Sequence, residues 1–449
     1  MANFNLRKGH SLTIMGEPEK ILSSTVSKEN IYLHPKDFQG IKPKLLVKKG
    51  DIVSVGTPVY FDKLNPKVKF VSPISGTISQ IIFGARRVIE QIVIKSDNNL
   101  SMIERDLFNA SQLSSVELKS KLSESGLWPA IRQRPFSKIA NPSQTPRDIF
   151  ISVLSTVPFA VDYAFALDGR EIDFQAGLDT LAKLTPGSLH LNMGDSESAP
   201  VFTQAKNVIL NRFNGPHPSG NIGVQIHHLA PISSKGDIVW YLNPQDVADI
   251  GEYLRTGYCP TQKIITIGGS SISKPTYLKI RKGSILKDIL TDNLNTKDEI
   301  RIISGDVLSG ETRLLSQAIR FYDESVTVIP ESTDREFLGW ALPGLNKYSL
   351  SRTFLASLLQ KKMTRFNTSL NGSHRAIISF GRWESVLPMD ILPEFLVKSI
   401  LARDIEEMEK LGIYECAEED FALCSFVCQS KTDVSGIIRT GLQLSEQEG

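Results

Sequence analysis

The stretch from residue 47 to residue 88 constrains the fold most, because glycines and prolines separate its short β-branched runs at regular intervals. Gly50 and Gly56 bound the first two runs, and a hairpin tip is expected near 63–66. Residues 72–76 then turn the chain into the next strand. This spacing predicts a small, flattened β-barrel.

The barrel resembles the barrel-sandwich modules of biotinyl and lipoyl carriers, in which a hairpin lysine receives the cofactor. Lys63 occupies the comparable place here. The hairpin 63–72 is longer than the tight turn of those carriers, however, and it contains Pro66. Lys67 and Lys69 also compete for the same role. Two alternatives stay open: a carrier that uses Lys63, and an unmodified structural barrel.

The composition is that of a soluble globular protein. The 449 residues are enough for about three domains. A formal charge of +2, without long basic runs, argues against a nucleic-acid partner. The most apolar window, 149–167, is broken by Pro158 and Asp162, and the N-terminus lacks a secretory signal. Four cysteines are too few for a disulfide framework, so we expect a cytoplasmic chain whose membrane contact is made through partners.

The hydrophobic pattern changes along the chain and predicts a multidomain fold of α/β and β modules with a helical C-terminal region. Helical periodicity from Leu113 to Leu127 indicates a linker helix. Apolar runs at 149–154 and 188–193, separated by a helix-like stretch at 174–184, predict a sheet covered on both faces. The expected parts are a barrel-sandwich domain with an N-terminal extension (1–98), a linker helix and loop (99–146), a Rossmann-like α/β domain (147–258), a β-grasp domain (259–329) and a mixed, helical C-terminal domain (330–449).

Two more runs, at 208–210 and 238–241, predict further strands of the α/β domain, and a helix should follow at 244–253. A dinucleotide-binding domain would carry G-x-G-x-x-G directly between a strand and a helix, where backbone N–H groups meet the pyrophosphate. Neither of the first two strands is followed by that motif. The segment 193–198 adds two carboxylates, which would repel phosphate. The domain is therefore predicted to be Rossmann-like in shape and not to bind a nucleotide.

The segment 263–290 resembles a β-grasp domain of the soluble-ligand-binding type. Its pattern predicts a strand, a glycine turn at 268–269, the motif Pro-x-Tyr at 275–277, a second strand, and a helix start at Ser284. A glycine-bounded turn follows at 305–310. Such domains are mostly structural connectors in redox complexes, and some bind sugars in export proteins.

The C-terminal part shows helical periodicity at 395–411 and 420–428. Cys424 and Cys428 lie one helical turn apart and could share a soft metal. Two thiolates without two further ligands make a poor cluster site, so buried thiols are the alternative.

Aromatic and basic side chains concentrate at 128–138, which includes Arg134, Phe136 and Lys138. An aromatic ring beside a guanidinium group can hold a planar, carbonyl-bearing ring by stacking and by charge-assisted hydrogen bonds. A loop that packs two domains together is the alternative.

Three of the seven histidines, His217, His227 and His228, fall within residues 214–228 among glycines and prolines. This composition is typical of a shaped loop at the end of a sheet. Metal ligation is conceivable, although adjacent histidines on a strand would point to opposite faces. Two other interpretations remain. The imidazoles could make their hydrogen bonds within the turn, or one of them could donate a hydrogen bond to a ligand carbonyl.

The order of the modules resembles that of the A subunits of the sodium-translocating NADH:quinone reductases, over essentially the whole chain. The barrel and four further motifs carry this resemblance: FNGPHPSG at 213–220, GDVLSG at 305–310, GRWESVLPMDILP at 381–393 and ALCSFVCQSK at 422–431.

The resemblance implies a peripheral subunit on the cytoplasmic face of a bacterial inner membrane. Its complex of six subunits would oxidise NADH, reduce ubiquinone and export Na+. FAD, FMN, riboflavin and a 2Fe-2S centre would lie in the five partner subunits, because no glycine-rich flavin loop is evident in this chain and only Cys424 and Cys428 remain where four clustered thiolates would be needed. The chain alone is then not expected to be catalytic or to bind NADH.

Because the family has been linked to quinone binding, we expect a contribution to the quinone site or to assembly. Arg134, Phe136, Lys138 and His217 are the side chains expected nearest the quinone head group. The alternative functions are a scaffold without a ligand and a carrier that uses Lys63.

Overall fold

The fold is taken from a computed structural model of the chain. It describes residues 2–24, 29–99, 101–105, 107, 112–291, 293–295, 299–332, 338–339, 341–345, 347–351, 353–358 and 363–449.

The first two strands pair with distant domains and not with the barrel. Strand β1 (Asn3–Asn5) lies parallel to the strand at Ile209–Asn214. Strand β2 (Glu19–Ser24) lies parallel to the strand at Thr276–Arg281. The sequence predicts an N-terminal extension that leads into the barrel, whereas its first 24 residues tie the second and third domains to the N-terminus.

Two small sheets of four and three strands form the barrel, in the orders β3-β9-β8-β5 and β4-β6-β7. Tyr60 stacks on Phe70 with the ring centroids 4.4 Å apart, and Ile31, Ile78 and Ile94 are fully buried. The hairpin between β6 and β7 falls where the sequence predicts it. The strands are β3 (Asn30–Leu33), β4 (Pro43–Leu45), β5 (Ile52–Val53), β6 (Pro58–Asp62), β7 (Lys69–Val71), β8 (Gly76–Phe83) and β9 (Ile89–Ser96).

Helix α1 (Ser115–Ser125) is the predicted linker helix. A capping box fixes its start: the Glu117 N–H donates to the Ser114 hydroxyl, and the Ser114 N–H donates to the Glu117 carboxylate at 2.8 Å. Gly126, at φ 84°, ends it. Leu118 and Leu122 bury the apolar face of the helix in the core that the barrel shares with the α/β domain.

The second domain is built on a seven-stranded sheet of order β1-β14-β13-β12-β15-β10-β11. The first five strands in this order are parallel, and the β10–β11 hairpin is added in antiparallel fashion. The elements are β10 (Arg132–Arg134), β11 (Lys138–Ile139), β12 (Ile149–Ser152), α2 (Tyr163–Ala166), α3 (Glu171–Leu181), β13 (Leu189–Gly194), α4 (Pro200–Thr203), β14 (Ile209–Asn214), α5 (Ile222–Leu229), β15 (Val239–Leu242) and α6 (Pro244–Thr256).

The strand order creates a switch point between β12 and β15. The chain moves from β12 to β13 and β14, and then returns to place β15 on the other side of β12. Helices α3 and α6 cross closely, since a Cβ at Gly177 would lie 2.0 Å from the Val247 carbonyl oxygen. Helix α5 lies near β12, and its buried Val224 shares a core with Trp383 and other C-terminal residues. In an α/β sheet of this kind, ligands bind at the carboxyl ends of the strands beside the switch point.

The third domain is a six-stranded mixed sheet of order β19-β18-β20-β16-β17-β2. Its apolar core includes Ile265, Ile267, Leu286 and Val328. The elements are β16 (Gln262–Gly268), β17 (Thr276–Arg281), α7 (Leu286–Leu290), β18 (Ile300–Ser304), β19 (Glu311–Thr312) and β20 (Ser325–Pro330).

The C-terminal part is helical, as expected, but its helices differ from the predicted ones. The stretch 395–411 forms two helices because Arg403 takes a left-handed conformation (φ 58°) and Asp404 caps a new helix. The last helix was not predicted. The elements are α8 (Pro393–Ala402), α9 (Ile405–Lys410), α10 (Ala422–Val427) and α11 (Val434–Glu448).

Short 3-10 turns connect several of these elements. They lie at Pro35–Asp37, Ala85–Arg87, Trp128–Ala130, Leu355–Leu358, Ile413–Glu415 and Glu418–Phe421. Within the described ranges, no helix is both long enough and apolar enough to cross a membrane.

Candidate functional site

A cleft of about 200 Å³ lies at the switch point of the α/β sheet, where the second, third and C-terminal domains meet. The segments that follow β12, β14 and β15 form its floor, and the third and C-terminal domains form its walls. Residues facing it include Ser155, Val157, Tyr163, His217, Asn221, Asn243, Asp306, Leu308, Ser309, Asp323, Glu324, Glu419 and Ala422.

His217 is the most unusual side chain of the cleft. It follows β14 in a tight loop and is only 1% exposed. Its Nδ1 lies 3.2 Å from the hydroxyl of Thr156, whereas its Nε2 is buried without a hydrogen-bond partner among the described residues. Burial lowers the pKa of His217 to about 4, opposed by the Asp306 carboxylate. The ring is therefore neutral at physiological pH and keeps one unused polar atom.

The loop that carries His217 is fixed from both sides. The Gly220 N–H donates to the Thr156 hydroxyl at 3.0 Å, which joins the loop to the segment after β12. On the other side, the His10 N–H donates to the His217 carbonyl at 2.7 Å. A Cβ at Gly9 would lie 2.3 Å from that same carbonyl, so this approach requires glycine.

A buried hydrogen-bond network surrounds Glu324 on the third-domain wall. The Tyr163 hydroxyl donates to its carboxylate at 2.8 Å, and the Gln245 amide donates at 2.6 Å. The Asn243 amide in turn donates to the Tyr163 oxygen at 3.2 Å. Burial raises the pKa of Glu324 to about 7, against the lowering effect of its hydrogen bonds. The third domain is thus held to the sheet by a carboxyl group that titrates near neutral pH.

The glycine-bounded turn 305–310 supplies the adjoining wall. Asp306 shapes it by accepting from the Leu308 N–H at 2.7 Å and from the Ser309 N–H at 3.1 Å. Asp323 and Glu419 also face the cleft. Such a lining opposes a pyrophosphate and favours a neutral ligand with hydrogen-bonding groups.

Arg134 lies behind the cleft and not in it. Its side chain has no exposed surface, and its two terminal amino groups donate to Asp420 at 3.0 Å and to Glu419 at 2.7 Å. Burial raises the pKa of Asp420 to about 6, opposed by Arg134. A Cβ at Gly223 would lie 2.1 Å from the Asp420 carboxylate, so α5 must carry glycine there. Arg134 therefore positions Glu419, which does face the cleft.

Phe136 and Lys138 bind the same C-terminal region. The Phe136 ring is 5% exposed and meets Tyr414 edge-on at 6.0 Å. The Lys138 ammonium lies 5.3 Å from the Phe136 ring centre and pairs with Glu446. The structure thus separates the four expected quinone residues: His217 faces the cleft, and the other three hold the C-terminal helices to the β10–β11 hairpin. These contacts correspond to the domain-packing alternative for residues 128–138, and the quinone assignment of these residues stays a prediction.

Comparison with known proteins identifies the family. Three family models match: the NqrA N-terminal barrel-sandwich hybrid domain over residues 4–97, the NqrA second alpha/beta domain over 113–259, and the NQRA C-terminal domain over 264–313. The A subunit of the Na(+)-translocating NADH-quinone reductase of Rhodopirellula baltica is 37% identical over 99% of this chain and 98% of its own length. This chain belongs to the NqrA family, the A subunits of the Na(+)-translocating NADH-quinone reductases.

A second NqrA-family relative and one solved structure were also compared with this chain. The protein of Histophilus somni strain 2336 is 35% identical over 99% of both chains. A solved structure of an NAD+-reducing NiFe-hydrogenase in the H2-reduced state aligns over 76% of this chain and 63% of that chain, at 10% identity and a TM-score of 0.39. The family models confirm the predicted barrel-sandwich domain and the α/β character of the second domain.

Three of the four motifs that carry the resemblance to the NqrA family meet at the cleft. His217 comes from the first motif, Asp306 from the second and Ala422 from the fourth. Sequence reasoning missed Thr156, Tyr163, Asn243 and Glu324. Two of these could have been found, because Thr156 and Asn243 follow predicted strands that end at the switch point.

The other histidines of the predicted loop are structural. The expected loop ends earlier than the sequence suggests, because His227 and His228 lie on helix α5. His227 accepts from the Asp390 N–H at 2.9 Å and pairs with Glu415, while His228 donates to the Pro388 carbonyl at 2.8 Å. Both rings thereby dock the C-terminal region on α5.

Metal-binding geometry is not found within the described ranges, where no three His, Cys, Asp or Glu side chains lie close enough to hold an ion. Cys424 and Cys428 are buried free thiols, 1% and 3% exposed. Burial raises the pKa of Cys424 above its usual range. These two residues fit the buried-thiol alternative.

Lys63 lies at the exposed end of the barrel, in the connection between β6 and β7. Its N–H donates to the Lys42 carbonyl at 2.9 Å. Asp62, immediately before it, is 5% exposed and accepts from the Lys42 N–H at 2.8 Å. The lysine side chain therefore extends from a hairpin that is well anchored.

Proposed function

We propose that this chain serves as the NqrA component of a complex that oxidises NADH, reduces a quinone and transports Na+, and that its cleft contributes to the quinone site. The full-length similarity to proteins named for that complex supports the first part. The single observation that carries the second part concerns His217 at the switch point: its buried Nε2 has no hydrogen-bond partner in the described part of the chain. A polar atom buried without a partner costs free energy that a ligand can recover.

The hydrogen bonds around His217 favour a donor at this position. The Thr156 hydroxyl already accepts the Gly220 N–H, so its own hydrogen is available to Nδ1 of His217. We assign the ring proton to Nε2 on this basis. An N–H group there suits a quinone carbonyl oxygen. Val157, Leu308 and Ala422 supply apolar surface for the rest of the head group.

In this proposal, Arg134, Phe136 and Lys138 do not contact the quinone. They hold in place the C-terminal region that forms one wall of the cleft. Arg134 holds Glu419 at the edge of the cleft, and Phe136 and Lys138 hold the helices behind it. The chain itself carries out no electron transfer and binds neither flavin nor NADH.

The finer assignments of fold and assembly complete the proposal. The strand order beside the switch point supports a Rossmann-like second domain, and the mixed sheet around α7 supports a β-grasp third domain. We place the protein peripherally on the cytoplasmic face of a bacterial inner membrane. Five partner subunits would carry FAD, FMN, riboflavin and the 2Fe-2S centre, and the quinone would be ubiquinone.

The experiment compares two substitutions in the assembled complex. His217→Phe keeps a flat ring of similar size and removes the N–H donor. His190→Phe is the matched control, because His190 lies near the amino end of β13 and stacks on Phe150 at 4.7 Å. His217→Phe should raise the Michaelis constant for ubiquinone about tenfold, the effect of one hydrogen bond, and leave that for NADH unchanged. His190→Phe should change neither.

Two outcomes would contradict the quinone proposal. An unchanged Michaelis constant for ubiquinone in a fully assembled His217→Phe complex would remove the cleft from the quinone site. Loss of assembly in His217→Phe, together with normal quinone kinetics in the complexes that do form, would support a scaffold that binds no ligand.

A further inference from the structure

The outer face of the three-stranded barrel sheet is unusually basic. Lys44 on β4, Phe61 on β6 and Lys69 on β7 are cross-strand neighbours. Both ammonium groups lie against the Phe61 ring, at 5.7 and 4.9 Å from its centre. Because alternate residues of a strand share a face, Lys42 and Lys63 extend this row toward the hairpin end. We refer to Lys42, Lys44, Lys63, Lys67 and Lys69 as the lysine face.

The charges on this face are not neutralised by its own strands. Residues 41–71 contain seven lysines and two acidic residues. Asp62 is 5% exposed, and Asp51 caps a turn by accepting from the Lys48 N–H at 2.9 Å. None of the five ammonium groups of the lysine face donates a hydrogen bond to a carboxylate in the part of the chain that the structure describes. The face therefore presents a concentrated positive potential to solvent.

Apolar side chains accompany these charges. Leu64, at the hairpin between Lys63 and Lys67, is 56% exposed, and Leu46, just after β4, is 47% exposed. A sheet face that carries long ammonium side chains beside exposed leucines suits a broad, diffusely charged surface. Protein–protein interfaces are instead depleted of lysine and enriched in arginine and large aromatic residues. A bilayer with anionic headgroups matches both the charge and the lack of fixed geometry.

We propose that the lysine face binds the anionic phospholipid headgroups of the membrane. The ammonium groups lie among the phosphates, and Leu46 and Leu64 contact the interfacial region. This assignment extends the proposed function, because a component of a membrane complex works beside a bilayer. It is tested on the chain alone, so its failure would leave the quinone assignment untouched.

The test is co-sedimentation of the full chain with lipid vesicles. One set contains phosphatidylglycerol and phosphatidylcholine, and the other contains phosphatidylcholine alone. The variant Lys44→Gln/Lys63→Gln/Lys67→Gln neutralises three lysines of the face. The control Lys274→Gln/Lys279→Gln/Lys287→Gln removes the same charge from exposed positions of the third domain. Each lysine near an anionic surface contributes about fivefold in affinity, so the first variant should bind roughly 100-fold more weakly.

We expect the wild type and the control to bind only the anionic vesicles and to be released by salt. Equal binding by the wild type and the lysine-face variant would overturn the proposal. An equal loss in the control would show an effect of net charge alone, and would also overturn it. The wild type could also fail to bind either set of vesicles while the lysine-face variant fails to join the complex. That outcome would overturn the lipid proposal and indicate that the lysine face binds an acidic partner protein.

Discussion

The loops around Arg134 and His217 show two ways to bury a polar side chain. Each residue precedes a proline, and both were expected to lie near the quinone head group. Arg134 ends strand β10, and His217 follows strand β14. Both are at most 1% exposed. Arg134 gives its two terminal amino groups to two carboxylates of the C-terminal region, and only its Nε lacks a partner among the described residues. His217 uses one ring nitrogen within the fold and leaves the other without a partner among the described residues.

In the proposed function, this difference separates a structural role for Arg134 from a binding role for His217. A buried group whose charge is paired is committed to the contact that it already makes. A buried group that lines a cleft and keeps an unused polar atom, as His217 does, has free energy to gain from a ligand there. The sequence-based hypothesis places both residues near the quinone head group, whereas in the structure only His217 lines the cleft and Arg134 is paired with two carboxylates.

The largest predicted effect comes from Arg134→Ala. This change would leave the Asp420 carboxylate buried against α5 without its cation. Breaking a buried pair in this way should lower the free energy of unfolding by about 3 to 5 kcal/mol. Urea denaturation, followed by tryptophan fluorescence, measures the loss.

Arg439→Ala is the control for that measurement. Arg439 pairs with Glu418 in the same C-terminal region, but the two side chains are 45% and 32% exposed. Its removal should cost less than about 1 kcal/mol. An equally small effect of Arg134→Ala would show that the C-terminal region does not depend on the buried pair.

The next effect concerns Glu324, which joins the third domain to the cleft. Its folded pKa of about 7 lies above its ordinary value of 4.5, so the folded state retains a proton that the unfolded state releases. Stability should therefore fall as the pH rises from about 4.5 to about 7, by on the order of 3 kcal/mol, and then level off. Thermal unfolding of wild type and Glu324→Gln across this pH range tests the prediction. The variant should lack this component, and an identical slope in both proteins would exclude it.

Local patterns predicted much of the fold because they report on nearby residues. The apolar runs at 149–154 and 238–241 became β12 and β15, and the predicted helix at 244–253 became α6. Long-range pairing was missed: β1 joins β14 more than 200 residues away, and β2 joins β17. A strand of three to six residues carries no sequence signal that names its partner.

The site was only partly predictable for a related reason. His217 was found because histidine, glycine and proline together mark a shaped loop. Arg134 was expected near the quinone head group because of the aromatic and basic residues around it, whereas its acceptors, Glu419 and Asp420, lie 285 and 286 residues further along the chain. Local composition cannot show that a cation already has a partner. The same limit hid Glu324, whose donors come from a different domain.

A smaller effect should follow from Thr156→Val, which tests whether the loop of His217 is held by the hydroxyl. The change leaves the Gly220 N–H and Nδ1 of His217 without their partner, at a cost of about 2 kcal/mol in unfolding free energy. It should also raise the Michaelis constant for ubiquinone, since the ring loses its orientation. Thr156→Ser restores the hydroxyl and should rescue both properties. Failure of serine to rescue would assign the effect to packing.

The smallest loss of unfolding free energy is expected for Lys138→Ala. It compares an exposed cation with the buried Arg134 in the same β10–β11 hairpin. Lys138 has the same charge as Arg134 and also reaches the C-terminal helices, through Glu446. Its side chain is 31% exposed, however, and that of Glu446 is 34% exposed, so water and salt screen the pair. We expect a loss below about 1 kcal/mol, which should disappear in high salt. A loss as large as that of Arg134→Ala would mean that contact with the C-terminal helices, and not burial of the charge, determines how strongly this hairpin holds them.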